Sequence, residues 1–157
     1  MAAKKPNSVR VLERDAVPYE LLTFPATVHS AEGVAQALGL PAGQVYKTLV
    51  VRRPAGGKPL LVMIPGDREL DLKQLAAALG EKKLQMAAHH DAERLTGLQV
   101  GGISALALLN RGFEICLDRR ALALAEVVIS AGQRGTNLKL AVADLARVTQ
   151  ARIVDAS

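Results

Sequence analysis

The stretch QVYKTLVVRR, residues 44–53, decides how the rest of the chain can be interpreted. Its side chains alternate with the period of a β-strand, which puts Val45, Leu49 and Val51 on one face. Lys47 falls on that same face, between two apolar residues. The segment RRPAGGKP is typical of a hairpin connection, and LLVMIPG after it predicts a returning antiparallel strand. A hairpin near the middle of the chain favours a sheet built largely from antiparallel pairs.

Helical patterns lie on both sides of this hairpin. SAEGVAQALGL has Ser30 as its N-cap and Gly39 as its stop, and DLKQLAAALG has Asp71 and Gly80 in the same roles. Ser8 is placed to cap a short first helix, and HDAERLTG and VADLARVTQA predict two more. The remaining strand patterns are YELLTF, KKLQMA, FEICLD, EVVISAG and GTNLKLA. This mixture predicts an α+β fold with a mixed or antiparallel sheet.

Length and composition limit the broad class of protein. A chain of 157 residues predicts one domain over residues 1–157, and 50% apolar residues can build a core. The net charge of +5 suits an anionic partner such as RNA, but 3% aromatic residues are too few to stack a row of bases. Since Cys116 is the single cysteine and no apolar leader or membrane-length segment occurs, we expect a soluble cytoplasmic protein without a membrane partner.

Residues for metal or cysteine chemistry are sparse. The adjacent His89 and His90 point apart in any regular element, and His29 stands alone before a helix. No Cys-x-x-Cys or His-Glu-x-x-His spacing exists, so we expect no metal and no cofactor. Cys116 lies inside a strand pattern with no motif around it, which indicates a buried structural thiol.

Lys47 and two glycine-containing loops remain as candidates for chemistry. Lys47 is either a surface lysine whose ammonium reaches water or an amine held at the mouth of a pocket. In VGGISAL, Gly101 and Gly102 allow the backbone to approach a ligand and present N–H groups, with Ser104 close by. In ISAGQRG, Ser130 closes a strand. Both loops have the alternative interpretation of simple turns.

Four segments taken together resemble a known family. VYKTLVV, DLKQLAAALG, AERLTGLQVGGISAL and SAGQRGTNLKLAVADL occur in the order and at the spacing of YbaK/ProX-type aminoacyl-tRNA editing domains. Within these, the chain most resembles bacterial Cys-tRNA(Pro) deacylases of the YbaK type, from about residue 19 to about residue 154. The resemblance implies a compact barrel-like sheet with flanking helices. It also implies an enzyme that removes the wrong amino acid from the 3′ end of a tRNA.

The resemblance assigns roles to individual residues. It implies that Lys47 and Gly101 are catalytic and that five residues bind the substrate, namely Tyr19, Thr48, Gly102, Ser104 and Ser130. The implied partner is misacylated tRNA(Pro), with prolyl-tRNA synthetase as a second partner and no DNA. In YbaK-type members the thiol of a cysteine substrate is thought to attack its own carbonyl, whereas an alanyl substrate needs a positioned water. The sequence leaves both routes open.

The chain departs from the family pattern at the glycine loop. The family loop continues Gly-Gly-Ile-Ser-Pro-Leu-Gly, while this chain reads GGISALA, with Ala105 and Ala107. Because proline fixes φ, we expect a softer or displaced loop with a consequence for specificity. Lys139 also stands where relatives often carry an acidic residue. Two other functions stay open. One is an aminoacyl-tRNA-binding module that is non-catalytic or has a different specificity (Ala-tRNA) and associates with prolyl-tRNA synthetase, and the other is a lysine–imine enzyme.

Overall fold

The computed structural model describes residues 5–157, and in that range it contains five α-helices and eight β-strands. The helices are α1 (Asn7–Arg14), α2 (Ala31–Leu38), α3 (Leu72–Leu79), α4 (His89–Thr96) and α5 (Val142–Thr149). The strands are β1 (Glu20–Thr23), β2 (Tyr46–Arg52), β3 (Leu60–Pro65), β4 (Gln85–Met86), β5 (Glu114–Asp118), β6 (Glu126–Gln133), β7 (Thr136–Ala141) and β8 (Arg152–Val154). Short 3-10 turns lie at Ala42–Gln44, Leu106–Leu108 and Arg119–Ala123.

The larger sheet has five strands in the order β4-β2-β3-β5-β8. The predicted hairpin forms its centre, with β2 antiparallel to β3 and Lys47 opposite Ile64. β3 then pairs in parallel with β5, and β5 pairs in parallel with β8. The sheet is therefore mixed, which confirms the predicted α+β class.

The smaller sheet has three antiparallel strands in the order β1-β7-β6. An isolated parallel bridge between Val45 and Val128 joins it to the start of β2 in the larger sheet. The two sheets are thus in contact through the start of β2.

The core lies on both faces of β3, all six of whose residues are buried. Leu61 and Met63 pack toward the three-stranded sheet and α1, in one cluster with Leu12. Val62 and Ile64 pack on the other face, in a cluster with the α3 residue Leu75. Each fully buried aliphatic side chain contributes roughly 1.5–3 kcal/mol, so these two layers fix the hairpin between sheet and helix.

The ends of α2 and α3 are set by the local signals that the sequence shows, whereas α1 departs from its prediction. The side chains of Ser30 and Asp71 cap α2 and α3, and Gly39 and Gly80 end them in the left-handed conformation. The exception is α1, where the prediction that Ser8 is the N-cap is wrong. Pro6 holds that position, and Ser8 is buried within the helix, where its hydroxyl donates to the Ala131 carbonyl at 2.5 Å.

The structure contains one strand that the sequence patterns missed, β8, and it confirms the predicted burial of Cys116. Only three residues long, β8 carries too little alternation to be recognised, and it exists because it pairs with β5. That pairing makes β5 an interior strand, so Cys116 is fully buried, as predicted. None of the helices in residues 5–157 is long and apolar enough to cross a membrane.

Candidate functional site

A pocket of about 230 Å³ opens where the start of β2 faces the smaller sheet. The start of α2 and the loop that follows α4 close its sides. Four residues that the sequence singled out line it together: Lys47, Thr48, Gly101 and Ser130. Segments that are 29 to 83 positions apart in the chain therefore meet here, which the residue patterns alone did not show.

Lys47 is half-buried, and its ammonium has little to hold it. Its Nζ lies 3.5 Å from the carbonyl oxygen of Gly66, a long hydrogen bond. No carboxylate lies within 4.0 Å of it among residues 5–157. On one edge of β2, the strand β4 pairs only with Val51 and Arg52, at the end of β2. In the described part of the chain, the first half of that edge has no strand paired with it and borders the pocket. The amine thus borders the pocket without an internal ion pair among the described residues.

Gly101 occupies a position that only glycine fits. Its φ is +92°, and a Cβ built there would lie 2.6 Å from the Cβ of His29 and 2.9 Å from the His29 carbonyl oxygen. The preceding Val100 is anchored on both sides: its N–H donates to Glu93 at 2.9 Å, and its carbonyl accepts from Arg134 at 2.9 Å. The loop is therefore held in place close to the start of α2.

The two N–H groups of the glycine pair are not equivalent. The N–H of Gly102 donates to the carbonyl of Gln99 at 2.8 Å and so closes a turn. The N–H of Gly101 has no hydrogen-bond partner among the residues that the structure describes. Of the two donors suggested by the sequence, Gly101 is the one whose N–H is unused within the described residues.

Three other residues with predicted roles lie outside the pocket lining. Gly102 packs against the β6–β7 turn, where an added Cβ would be 3.0 Å from the Arg134 nitrogen. Ser104 is buried, and its hydroxyl accepts from the N–H of Ala107 at 3.4 Å. Tyr19 donates its hydroxyl to Glu13 of α1 at 3.0 Å. Any role for these three is therefore support of the loop or contact with a more distant part of a substrate.

The structure adds lining residues that sequence reasoning missed, namely His29, Glu32, Gly66 and Asn137. Asn137 is the strongest addition, because it is only 5% exposed and lies opposite Ser130 in the β6–β7 pair. A polar residue inside a predicted strand was the available signal for it. His29 had no such signal, since its place against Gly101 depends on the tertiary fold.

Tyr46 also borders the pocket and carries a buried hydroxyl that has no hydrogen-bond partner among the described residues. Burial, followed by the negative charge of Asp118, raises the pKa of Tyr46 to about 12. The phenol is therefore protonated at neutral pH. No group of three or more His, Cys, Asp or Glu side chains able to hold a metal occurs in the described part of the chain.

Comparison with known proteins decides the family. Residues 25–148 match the aminoacyl-tRNA editing domain. The chain belongs to this family. The Enterococcus faecalis protein EbsC, which is named as a candidate Cys-tRNA(Pro)/Cys-tRNA(Cys) deacylase, is 39% identical to it over 140 residues, which are 88% of this chain and 84% of that protein. The family resemblance drawn from the sequence motifs is thereby confirmed.

The editing domain also occurs within larger proteins and in solved structures. The proline–tRNA ligase of Thermosipho melanesiensis is 32% identical over 100 residues, which are 64% of this chain and 17% of that ligase. A crystal structure described as a candidate trans-editing enzyme for prolyl tRNA synthetase has a TM-score of 0.81 and 25% identity over 99% of both chains. A hypothetical protein reaches a TM-score of 0.87 at 25% identity, over 96% of this chain and 98% of that one.

At Ala105, where this editing domain departs from the family pattern, the backbone adopts a conformation that proline also allows. Ala105 has φ −62° and ψ −35°, and that φ is one a proline would impose. Ala107 continues into the 3-10 turn and packs beside Gly132, 3.3 Å from the site of an added Cβ there. The backbone therefore reaches a proline-like conformation without proline.

Proposed function

We propose that this protein is a trans-editing deacylase that clears misacylated tRNA(Pro), with Cys-tRNA(Pro) as its preferred substrate. The observation that carries the proposal is the unpaired ammonium of Lys47, which faces the same pocket as Gly101. Membership of the editing family and the name of the 39% identical relative support it. A cytoplasmic location and an association with prolyl-tRNA synthetase belong to the same proposal.

The pocket suits a small aminoacyl group. Sites for drug-sized ligands usually enclose roughly 300–1,000 Å³, and this one encloses about 230 Å³. Cysteine, alanine and serine esters are small enough to enter. The terminal ribose then remains at the mouth, beside Lys47.

The chemistry asks little of the protein, because an aminoacyl ester is already activated. In this proposal the Gly101 N–H, which has no partner among the described residues, donates to the ester carbonyl oxygen as negative charge develops on it. The Lys47 ammonium would stabilise the ribose oxygen that leaves. For a cysteine substrate, its sulfur bonds to its own carbonyl carbon while the ester C–O bond breaks, and the thiol proton ends on the released ribose hydroxyl. The product is a thiolactone, and no protein nucleophile is consumed.

The direct test is deacylation of labelled Cys-tRNA(Pro) by the wild type, Lys47→Ala and Lys73→Ala. Lys73 is an exposed lysine on α3, outside the pocket, and serves as the matched control. We expect Lys47→Ala to lose about 100-fold or more in rate, the scale of one lost electrostatic donor, and Lys73→Ala to keep the wild-type rate. Equal rates for all three proteins would remove Lys47 from the mechanism.

A panel of substrates sharpens the assignment. Cys-, Ala- and Ser-tRNA(Pro) are compared at equal concentration, and the products of the cysteine reaction are separated into thiolactone and free cysteine. Thiolactone as the first product supports attack by the substrate thiol. Rapid release of alanine at a similar rate would instead indicate attack by water.

A second candidate function is a binding module without turnover, and the sequence GGISALA favours it. Ala105 and Ala107 replace the family proline and glycine in the loop that carries Gly101. This alternative predicts tight binding of aminoacyl-tRNA together with no deacylation of any substrate in the panel. Measuring binding and turnover on the same preparation separates the two functions.

A further inference from the structure

A polar groove lies at the end of the larger sheet opposite to the pocket. The parallel strands β3, β5 and β8 all begin at this end, and Lys58, Glu114 and Arg152 there line the groove. The pocket instead adjoins Gly66, just beyond the last residue of β3. Six residues of strand span roughly 20 Å, so the two sites are well separated.

The groove is long rather than closed. One part encloses about 690 Å³, and a neighbouring part encloses about 520 Å³. Both parts are bordered by Arg14, Leu109 and Asn110, so they form one continuous depression. A depression that continues through two adjoining parts fits a chain-like ligand better than a compact one.

The groove concentrates positive charge. Its lining contains six cationic side chains against two carboxylates, Asp15 and Glu114. Both carboxylates are already partnered, Asp15 by Arg14 at 3.1 Å and Glu114 by Arg53 and Arg152. The six cations are Arg10, Arg14, Lys58, Arg111, Arg147 and Arg152.

Three of these cations have no internal task that the structure shows. Arg14 and Arg147 lie in the last turns of α1 and α5, where they offset the partial negative charge of the helix ends. Arg10, Lys58 and Arg111 are exposed, and none lies within 4.0 Å of a carboxylate among the described residues. Arg10 stands one turn before Arg14 on α1, a like-charge spacing that costs a few tenths of a kcal/mol in an isolated helix. An anion bound in the groove would be attracted to both arginines and would offset their mutual repulsion.

Amide side chains complete the groove at positions where the backbone would prefer glycine. Asn110 has φ +61° and Gln150 has φ +52°, while α2, α3 and α4 end in glycine with similar φ values. A side chain in this conformation costs about 1 kcal/mol relative to glycine. Asn110 and Gln150 both line the groove, where their amides can donate to phosphate or ribose oxygens.

We propose that this groove binds the sugar–phosphate backbone of RNA, as a second site distinct from the pocket. Five of its six cations are arginines, whose planar guanidinium groups match phosphate oxygens in pairs. The half-buried ring of Phe113 also lines the groove and offers one surface on which a base can stack. An acidic protein is the weaker occupant, because the centres of protein interfaces are rich in apolar and aromatic residues and depleted in charge.

The test measures binding of deacylated tRNA by fluorescence anisotropy across a range of salt concentrations. The groove variant is Arg10→Glu/Lys58→Glu/Arg111→Glu, and the control is Lys73→Glu/Lys82→Glu/Lys83→Glu, which makes the same change in net charge at exposed lysines elsewhere. We expect the groove variant to lose at least about tenfold more affinity than the control. Its slope of log K against log salt should shrink by about 2, the value for three lost phosphate contacts. Because this RNA carries no ester, the result does not depend on deacylation by Lys47.

Several outcomes would overturn the assignment. Equal losses in the two variants would show a non-specific effect of net charge. Binding of a 20-residue poly-glutamate peptide that is lost in the groove variant, while RNA binding is kept, would assign the groove to an acidic protein. If the charge reversals disturb folding, the neutral set Arg10→Gln/Lys58→Gln/Arg111→Gln replaces them, and unchanged RNA affinity in that folded protein would equally reject the site.

Discussion

Strand β2 carries a cation near each end, and the structure treats the two in opposite ways. Arg53, just beyond the strand, has a side chain only 12% exposed that donates to Glu81 at 2.9 Å, to the Lys58 carbonyl at 2.6 Å and to Glu114. Lys47, near the start, makes one long contact to the carbonyl of Gly66 at 3.5 Å. Arg53 is thus held by three internal partners, while Lys47 has a single long contact. The residue type alone does not tell these roles apart; the partners do.

The electrostatics of Arg53 follow from those partners. Burial alone lowers the pKa of its guanidinium, but the hydrogen bonds and negative charges of Glu114 and Glu81 outweigh burial and raise the pKa overall. The charge is therefore retained. Removing it leaves two partly buried carboxylates, Glu81 and Glu114, without their Arg53 partner. We therefore expect substitutions at the Arg53 end of β2 to lower stability, and substitutions at the Lys47 end to lower activity.

The largest expected effect on stability comes from the substitution Arg53→Met. We expect a loss of about 3 kcal/mol in the free energy of unfolding, because a buried, hydrogen-bonded charge is removed from its partners. Lys47→Met should change the same quantity by less than about 0.5 kcal/mol, as for a residue without internal partners. Urea unfolding of both variants measures the contrast. Similar losses in the two would contradict the division of roles along β2.

The next effect concerns Gly101→Ala, with Gly97→Ala as its control. Both glycines have positive φ, +92° and +72°, but only at Gly101 would a Cβ meet other atoms within 4 Å. Gly97→Ala should therefore cost about 1 kcal/mol of stability, the cost of the left-handed conformation alone. We expect Gly101→Ala to cost about 2 kcal/mol more and to abolish most deacylation, because the loop must move away from His29. Thermal melting and the deacylation assay report the two effects, and equal melting temperatures would show that the loop yields freely.

The difference between local and tertiary signals explains what the sequence predicted. The caps at Ser30 and Asp71 involve residues three positions apart, so the pattern around each was sufficient. The pairing of β8, by contrast, depends on β5, which lies more than 30 positions earlier. Ser8 was misplaced for the same reason, since its hydroxyl is satisfied by Ala131 in a distant strand.

The same reasoning applies to the site. Lys47 was recognisable because a charge interrupts an apolar face, and Gly101 because two glycines stand together in a loop. His29 was not recognisable, because its position beside Gly101 arises only when α2 and the glycine loop pack together. The lack of an ion-pair partner for the Lys47 ammonium likewise depends on which residues surround it in the fold, and no sequence pattern reveals that.

A pH experiment probes the Arg53 end of the sheet through Cys116, which lies on β5 two residues after Glu114. Burial, followed by the negative charge of Glu114, raises the pKa of the Cys116 thiol to about 11. The folded protein therefore holds this proton more tightly than the unfolded chain does. The resulting stabilisation is complete below about pH 9 and is lost as the pH rises toward 11.

We therefore expect the wild type to lose stability between pH 9 and 11 more steeply than Cys116→Ala does. Urea midpoints at several pH values measure the two slopes, and comparing slopes removes the constant cost of the small cavity that the substitution leaves. Tyr46 titrates higher and is present in both proteins, so it does not distort the difference. Parallel curves would show that the thiol is not held protonated by its surroundings.

The smallest effect is expected at the pocket end, from Ala105→Pro. Ala105 already has φ −62°, and its N–H makes no hydrogen bond among the described residues, so a proline loses nothing there. Fewer conformations of the unfolded chain should then raise stability by about 0.4–1 kcal/mol, measured by urea unfolding. Ala105 is fully buried, so a decrease in stability would mean that the added ring atoms find no space.

The ratio of Cys-tRNA(Pro) to Ala-tRNA(Pro) deacylation by Ala105→Pro should stay unchanged, because Val100 is held by Glu93 and Arg134 independently of Ala105. A shifted ratio would instead show that the proline, and not the anchored glycine, sets which amino acid the pocket accepts.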